Sequence, residues 1–166
     1  MNKINTLIFR YNKKRQPQRE VLMPNYSKVR SIVVIYEQGI DDKAMALLVK
    51  RLERDGAMVE VVGYEPKKDF TLFGRVRDEA MNALPKQRFD LLIDLSTNYY
   101  IGTQYLTMAI DATFKTGLRF PAIPEQDQQG ILDMMVSLPS PAEESAGYDA
   151  EQIAEQVIHF LKMINS

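Results

Sequence analysis

Cysteine is absent from this 166-residue chain, tryptophan is absent too, and histidine occurs once. Without cysteine there is no disulfide, no thiolate nucleophile and no cysteine-held zinc or iron–sulfur cluster. The single histidine, His159, excludes any multi-histidine metal centre and leaves one possible Ser–His pairing. Long apolar runs are missing as well. Ser31 to Tyr36 is among the longest and cannot cross a bilayer, and Leu7-Ile8-Phe9 is too short for the core of a secretory signal. A cytoplasmic location is therefore expected. Glycine is scarce where phosphate would need it: the first strand-to-helix turn has only Gly39, and neither the dinucleotide fingerprint nor the P-loop occurs. No Gly-x-Ser-x-Gly elbow is available for a serine nucleophile, and no cofactor or metal is expected.

What is present is enough for one core. An apolar content of 45% over 166 residues suits a single domain, and the net charge of −1 is ordinary. The charge is unevenly spread. Lys3, Arg10, Lys13, Lys14, Arg15 and Arg19 face Glu20 alone, a net of +5 in residues 1–20 that leaves −6 for the remainder. Residues 1–25 read as a basic arm and 26–166 as the domain. In the arm Ile4, Leu7, Ile8 and Tyr11 recur at helical spacing, which predicts a short amphipathic helix packing on the domain or on a partner.

Ser31 to Tyr36 is β-branched and lacks alternation, the pattern of a strand covered on both faces. Asp41 and Asp42 open a helix with Met45, Leu48, Val49 and Leu52 on one face, and Gly56 stops it. Met58 to Tyr64 and Phe89 to Leu95 read as further strands, separated by a loop at Pro66 to Asp69 and a short helix over Val76 to Leu84. The helix after Asn98 carries a stripe from Ile101 through Ala112, widened by Phe114. Thr116 to Phe120 and Ile131 to Leu138 are read as the last strands, with a closing helix over Ala150 to Ile164. The alternation predicts a single Rossmann-like, three-layer α/β domain with a mostly parallel sheet of about five strands. His159 lies about 200° from Val157 on the last helix and is expected to be exposed.

In such sheets ligands bind beyond the carboxyl ends of the strands. That places the candidate ligand-binding residues at Gly39, Asp41, Asp94, Ser96 and Asn98. Glu37, Asp41, Asp42 and Asp94 could together form an acidic pocket for magnesium, as in receiver domains. However, the segment Met134 to Pro139 offers no lysine for the phosphoryl group such a site would need. Helix capping by Asp41 or Asp42, and by Asp94, Ser96, Thr97 or Asn98, accounts for the same side chains with nothing but the helices. The expectation is thus a non-catalytic binding or interaction module, with an unidentified partner such as another protein. The alternatives are a nucleotide- or nucleotide-sugar-binding protein or glycosyltransferase-like enzyme with its site at the carboxyl ends of the first and third strands, or association with nucleic acid or an anionic membrane through the six basic residues of the arm.

The basic amino-terminal helix, the strands Ser31 to Tyr36 and Phe89 to Ile93, Lys115-Thr116-Gly117-Leu118 and the ending Leu161 to Asn165 resemble a family of short bacterial proteins known only as a domain of unknown function. That resemblance implies no activity and no site residues. Phe89 to Asn98, followed by a helix and Lys115-Thr116-Gly117, is similar to the amino-terminal half of heptosyltransferase-like glycosyltransferases. Those enzymes hold the nucleotide-sugar mainly in their carboxyl-terminal half, and their first turn reads Gly-Asp where this chain has Glu37 to Asp42. The second resemblance therefore implies a stripped-down, non-catalytic relative.

Overall fold

In the computed structural model, which describes residues 3–139 and 147–164, the strands are β1 (Ser31–Glu37), β2 (Met58–Tyr64), β3 (Phe89–Asp94), β4 (Ala112–Leu118) and β5 (Met134–Val136). All pair in parallel, in the order β2-β1-β3-β4-β5. This is the doubly wound arrangement of flavodoxin-like sheets, in which the crossovers reverse between β1 and β3. The helices are α1 (Lys3–Lys14), α2 (Asp42–Arg54), α3 (Pro66–Asp69), α4 (Asp78–Asn82), α5 (Ile101–Ala109), α6 (Glu125–Gln128) and α7 (Ala150–Ile164). The α/β class and five parallel strands are those expected from the alternating pattern.

The unbroken apolar run of β1 is explained by its central place. Ile32, Val34 and Tyr36 join the core under α2 and α7. Val33 and Ile35 face the opposite core, built with Leu106 and Ile110 of the α5 segment and with Phe70, Val76 and Leu84. With both faces covered, polar alternation would leave buried groups without partners. Gly56 ends α2 at φ +97°, the left-handed conformation anticipated from its position. His159 is exposed, as its helical angle implies.

Several boundaries differ from the sequence expectation. The helix after Asn98 closes at Ala109, and β4 begins at Ala112 rather than Thr116, so Phe114 is a strand residue in the α2/α7 core. Lys115 and Thr116 break the apolar pattern and hide this strand. The Lys115 side chain turns toward α5, where its Nζ donates to the Thr107 carbonyl (2.6 Å). β5 spans only Met134–Val136, α4 only Asp78–Asn82, and Pro66–Asp69 forms one helical turn rather than an open loop. Asn165, at the carboxyl end of the family resemblance, lies outside the described residues.

The largest correction concerns α1, which docks by the side opposite its apolar stripe. Asn5, Thr6 and Phe9 are buried, while Ile4, Leu7 and Tyr11 are each about three-fifths exposed. The Phe9 ring meets Tyr105 edge-on at 5.4 Å, and Asn12 Nδ2 donates to the Tyr105 hydroxyl (2.9 Å). Arg10 donates from two nitrogens to the buried Asp127 carboxylate (2.6 and 3.0 Å). Lys13 donates to the Gln126 and Gln129 carbonyls near the end of α6. Charge-assisted, bidentate contacts outweigh the burial of a few aliphatic side chains here. Farther along the arm, Arg19 pairs with Asp133 (2.6 Å) and donates to the Ala112 carbonyl (3.0 Å). Arg10, Lys13 and Arg19, three of the six basic residues considered for polyanions, are thus spent on the fold.

Candidate functional site

The register sets the site. Asp94 pairs with Ile35 at the end of β3, and Glu37 is the last residue of β1, so both carboxylates stand at the β1/β3 reversal. Asp41 precedes α2, and Ser96 to Asn98 form the turn leading to α5. All five side chains from Glu37, Asp41, Asp94, Ser96 and Thr97 are buried.

Their hydrogen bonds run to one another across this point. Ser96 N donates to Asp94 Oδ1 (2.9 Å), and the Ser96 and Tyr64 hydroxyls are 2.7 Å apart. Thr97 Oγ1 donates to Asp41 Oδ1 (3.2 Å). Asn98 Nδ2 and the Tyr100 hydroxyl donate to the two Glu37 oxygens (3.2 and 3.1 Å). Gly39, at φ +82°, shapes the intervening turn, and its amide donates to Asp42 (2.6 Å). Four of the five candidate residues therefore enter a polar lattice of three hydrogen-bonded groups, Asp94–Ser96–Tyr64, Asp41–Thr97 and Glu37–Asn98–Tyr100, while Gly39 serves the adjoining turn. Helix capping does not account for them: neither α2 nor α5 has a side-chain cap at its N-cap residue, Asp41 or Tyr100. Asp41 Oδ2 is a buried carboxylate oxygen without a hydrogen-bond partner.

Burial pushes the Asp94 carboxyl up to about 6, against the opposing pull of its hydrogen bonds from Ser96. Burial likewise lifts Asp41 to about 6; hydrogen bonds with the Thr97 hydroxyl and the Glu37 backbone oppose this, and the charges of Glu37 and Asp94 add to it. Burial and the bond to Glu37 raise the Tyr100 hydroxyl to about 12. Among the described residues no group of three or more His, Cys, Asp or Glu is placed to hold a metal ion. The acidic pocket expected of a magnesium site is thus a set of carboxylates each turned to a hydroxyl or amide donor. A cavity of about 10 Å³ touches Asp94 on its other side, between Tyr99, Gln104 and Leu118, and admits no ligand.

Space opens beside this lattice. A groove of about 700 Å³ runs between α1, the 66–77 segment and the start of α5, walled by Phe70, Leu72, Tyr99, Tyr100 and Ile101 with Lys67 and Arg77 among its lining. Its floor depends on Gly102: a β-carbon there would lie 2.5 Å from the Phe70 ring, which itself stacks on Tyr64 at 5.3 Å. Neither Lys67 nor Arg77 has an ion pair among the described residues. A second space of about 720 Å³ lies at the other end of the strands, under the arm, where Arg19 and Lys115 meet Asp133 and Asp111. Burial lowers the Lys115 ammonium to about 8, helped by Arg19.

The model of the family of unknown function DUF6913 matches residues 2–164. The chain belongs to DUF6913. No curated protein and no solved structure matches it. Membership in DUF6913 assigns no residue a role, so the site stands on geometry alone. Sequence reasoning reached Asp94, Asp41, Ser96 and Asn98 through their place after strands, but missed Tyr64 and Tyr100. The last residue of β2 ends beside the same crevice, and that position was the available signal for Tyr64. Nothing in the pattern announces the groove, because its walls come from four separate segments.

Proposed function

We propose that this chain is a non-catalytic binding module that takes a small anionic amphiphile into the groove between α1, the 66–77 segment and α5. The observation that carries this reading is the contrast between neighbouring regions. The β1/β3 crevice is filled by the chain's own paired side chains, whereas the groove beside it has the volume and apolar walls of a ligand site. Lys67 and Arg77, without carboxylate partners, supply the positive charge that an acidic head group would meet. A phosphate-bearing ligand at the crevice would instead confront Glu37, Asp41 and Asp94, which speaks against the nucleotide and nucleotide-sugar reading. As a non-catalytic relative of heptosyltransferase-like amino-terminal halves, acting in the cytoplasm of a bacterial cell, the chain would present rather than transform its ligand. The described helices include none long and apolar enough to cross a membrane.

Titration with dodecanoate, followed by thermal shift and calorimetry, tests the proposal. Saturable binding is expected, weakened about tenfold by Arg77→Ala and blocked by Ile123→Trp, with dodecanol binding less well than the carboxylate. An absence of saturable binding, or equal binding by both variants, refutes it. A saturable shift with ATP and magnesium that Asp94→Ala abolishes would move the site to the crevice and refute it as well.

A further inference from the structure

The helix that docks by its polar side leaves a surface to be explained. Ile4, Leu7, Ile8 and Tyr11 lie within about 100° on the outward side of α1, and from Lys3 to Lys14 the helix contains no acidic residue. Beside its first turn, Asn5 Nδ2 donates to the Leu72 carbonyl (3.2 Å), which fixes the adjoining turn against the helix. That turn is tight and well braced. Gly74, at φ +77°, donates to the Thr71 carbonyl (3.0 Å), Thr71 N donates to the Arg75 carbonyl (2.7 Å), and Phe70 bridges Val76. Leu72 and Phe73 occupy its tip at 96% and 65% exposure. A braced turn that holds a leucine and a phenylalanine in water gains nothing for the fold.

We infer that this face docks on the surface of an anionic phospholipid bilayer, with Leu72 and Phe73 entering the interface and the outer stripe of α1 lying along it. The charge decides the occupant. Lys3, Lys14 and Arg15 border the helix stripe, Arg75 and Arg77 follow the tip, and none of these five has an ion pair among the described residues. Asp69, the acid nearest the tip, is turned back to accept from the Glu65 amide (2.7 Å). An amphipathic helix with cations and no acids along its edges, joined to an apolar tip, matches an interface where aliphatic chains lie beneath negative head groups. Inter-helical recognition by a protein would call for a concave seat or a mixed-charge rim, and α1 has neither along its outer stripe. This inference shares Leu72 and Arg77 with the groove but turns on Phe73, Lys14, Arg15 and the outer stripe of α1, none of which lines it, so dodecanoate titration and vesicle binding can fail separately.

Flotation of the full chain with vesicles provides the test. With equal parts phosphatidylcholine and phosphatidylglycerol in about 50 mM salt, the protein floats with the vesicles; with phosphatidylcholine alone it stays behind. Leu72→Ser/Phe73→Ser and Lys14→Glu/Arg15→Glu each weaken binding about tenfold or more with unchanged melting temperature, whereas Leu47→Ser, an exposed leucine on α2, leaves it as it was. Absence of binding to the anionic vesicles, equal binding to both compositions, or a tip variant that binds like the parent overturns the inference. A concentration-dependent dimer in sedimentation equilibrium that the tip substitution abolishes overturns it too, and assigns the face to a second copy.

Discussion

Replacing Asp94 by Asn should stabilise the protein at pH 8, and the gain should shrink as the solution is acidified. The carboxyl is buried at the end of β3 and its proton affinity is raised from 3.8 to about 6. At about 1.4 kcal/mol for each tenfold change in affinity, the ionised group costs the folded state about 3 kcal/mol above pH 7. Because the folded value is the higher one, the associated stability is fully present below about 3.8 and is lost as pH rises through 6. Linkage over the two values returns about 1.4 kcal/mol of it between pH 8 and pH 5. Asn keeps an acceptor for the Ser96 amide and carries no charge to bury. Urea denaturation of both proteins at pH 8 and pH 5 should therefore show the variant ahead by up to about 3 kcal/mol, narrowing by about 1.4 kcal/mol at the lower pH. A variant less stable than the parent at pH 8 would mean that the carboxylate is held by an opposite charge or a cation. That result, or a gap independent of pH, refutes the reasoning.

Lys115 gives the opposite slope. With its ammonium lowered from 10.5 to about 8 by burial, stability should rise by about 2 kcal/mol between pH 7 and pH 9.5, and Lys115→Met should abolish that rise in the same denaturation assay. Gly102→Ala forces a methyl into the Phe70 ring; overpacking costs about 1–3 kcal/mol, offset by about 1 kcal/mol of helix propensity, so calorimetry should show a lower melting temperature. Arg19→Ala removes the donor to Asp133 Oδ1 and to the Ala112 carbonyl and should cost about 2 kcal/mol by urea denaturation, with the arm becoming the first segment to exchange its amides.

How much the sequence discloses depends on whether one energy dominates locally. Where burial on both faces rules, as in Ile32 to Ile35 and Leu91 to Ile93, the apolar run alone identifies β1 and β3. Where a glycine must be left-handed, as at Gly56, the stop is legible. Reading failed where polar contacts from distant segments outcompete the local pattern. The stripe of Ile4, Leu7 and Tyr11 points to the wrong face of α1 because Arg10, Asn12 and Lys13 find partners at Tyr105, Gln126 and Asp127, invisible to any window of sequence. β4 was obscured because Lys115, buried against a carbonyl of α5, looks like a surface residue. Asp94, Asp41 and Ser96 were found by their position after strands, but their role was misread. Capping is a local interaction, whereas the bonds of Ser96 with Tyr64, Asp41 with Thr97, and Glu37 with Asn98 and Tyr100 span 32 to 63 residues.

Docking α1 through Asn5 and Arg10 has a consequence for the order of events during synthesis. Asn5 must wait for a residue 67 positions later, and Arg10 for one 117 positions later, before its contact can form. At about 5–20 residues per second, about 6–23 seconds separate the synthesis of Arg10 from that of its partner Asp127. A helix made early and seated late spends this interval exposing both its stripes at once, and its charge of one sign keeps neighbouring nascent copies apart. The clasp of Arg10 on Asp127 can thus close only once β1 to β4 have been made, with β5 still to follow.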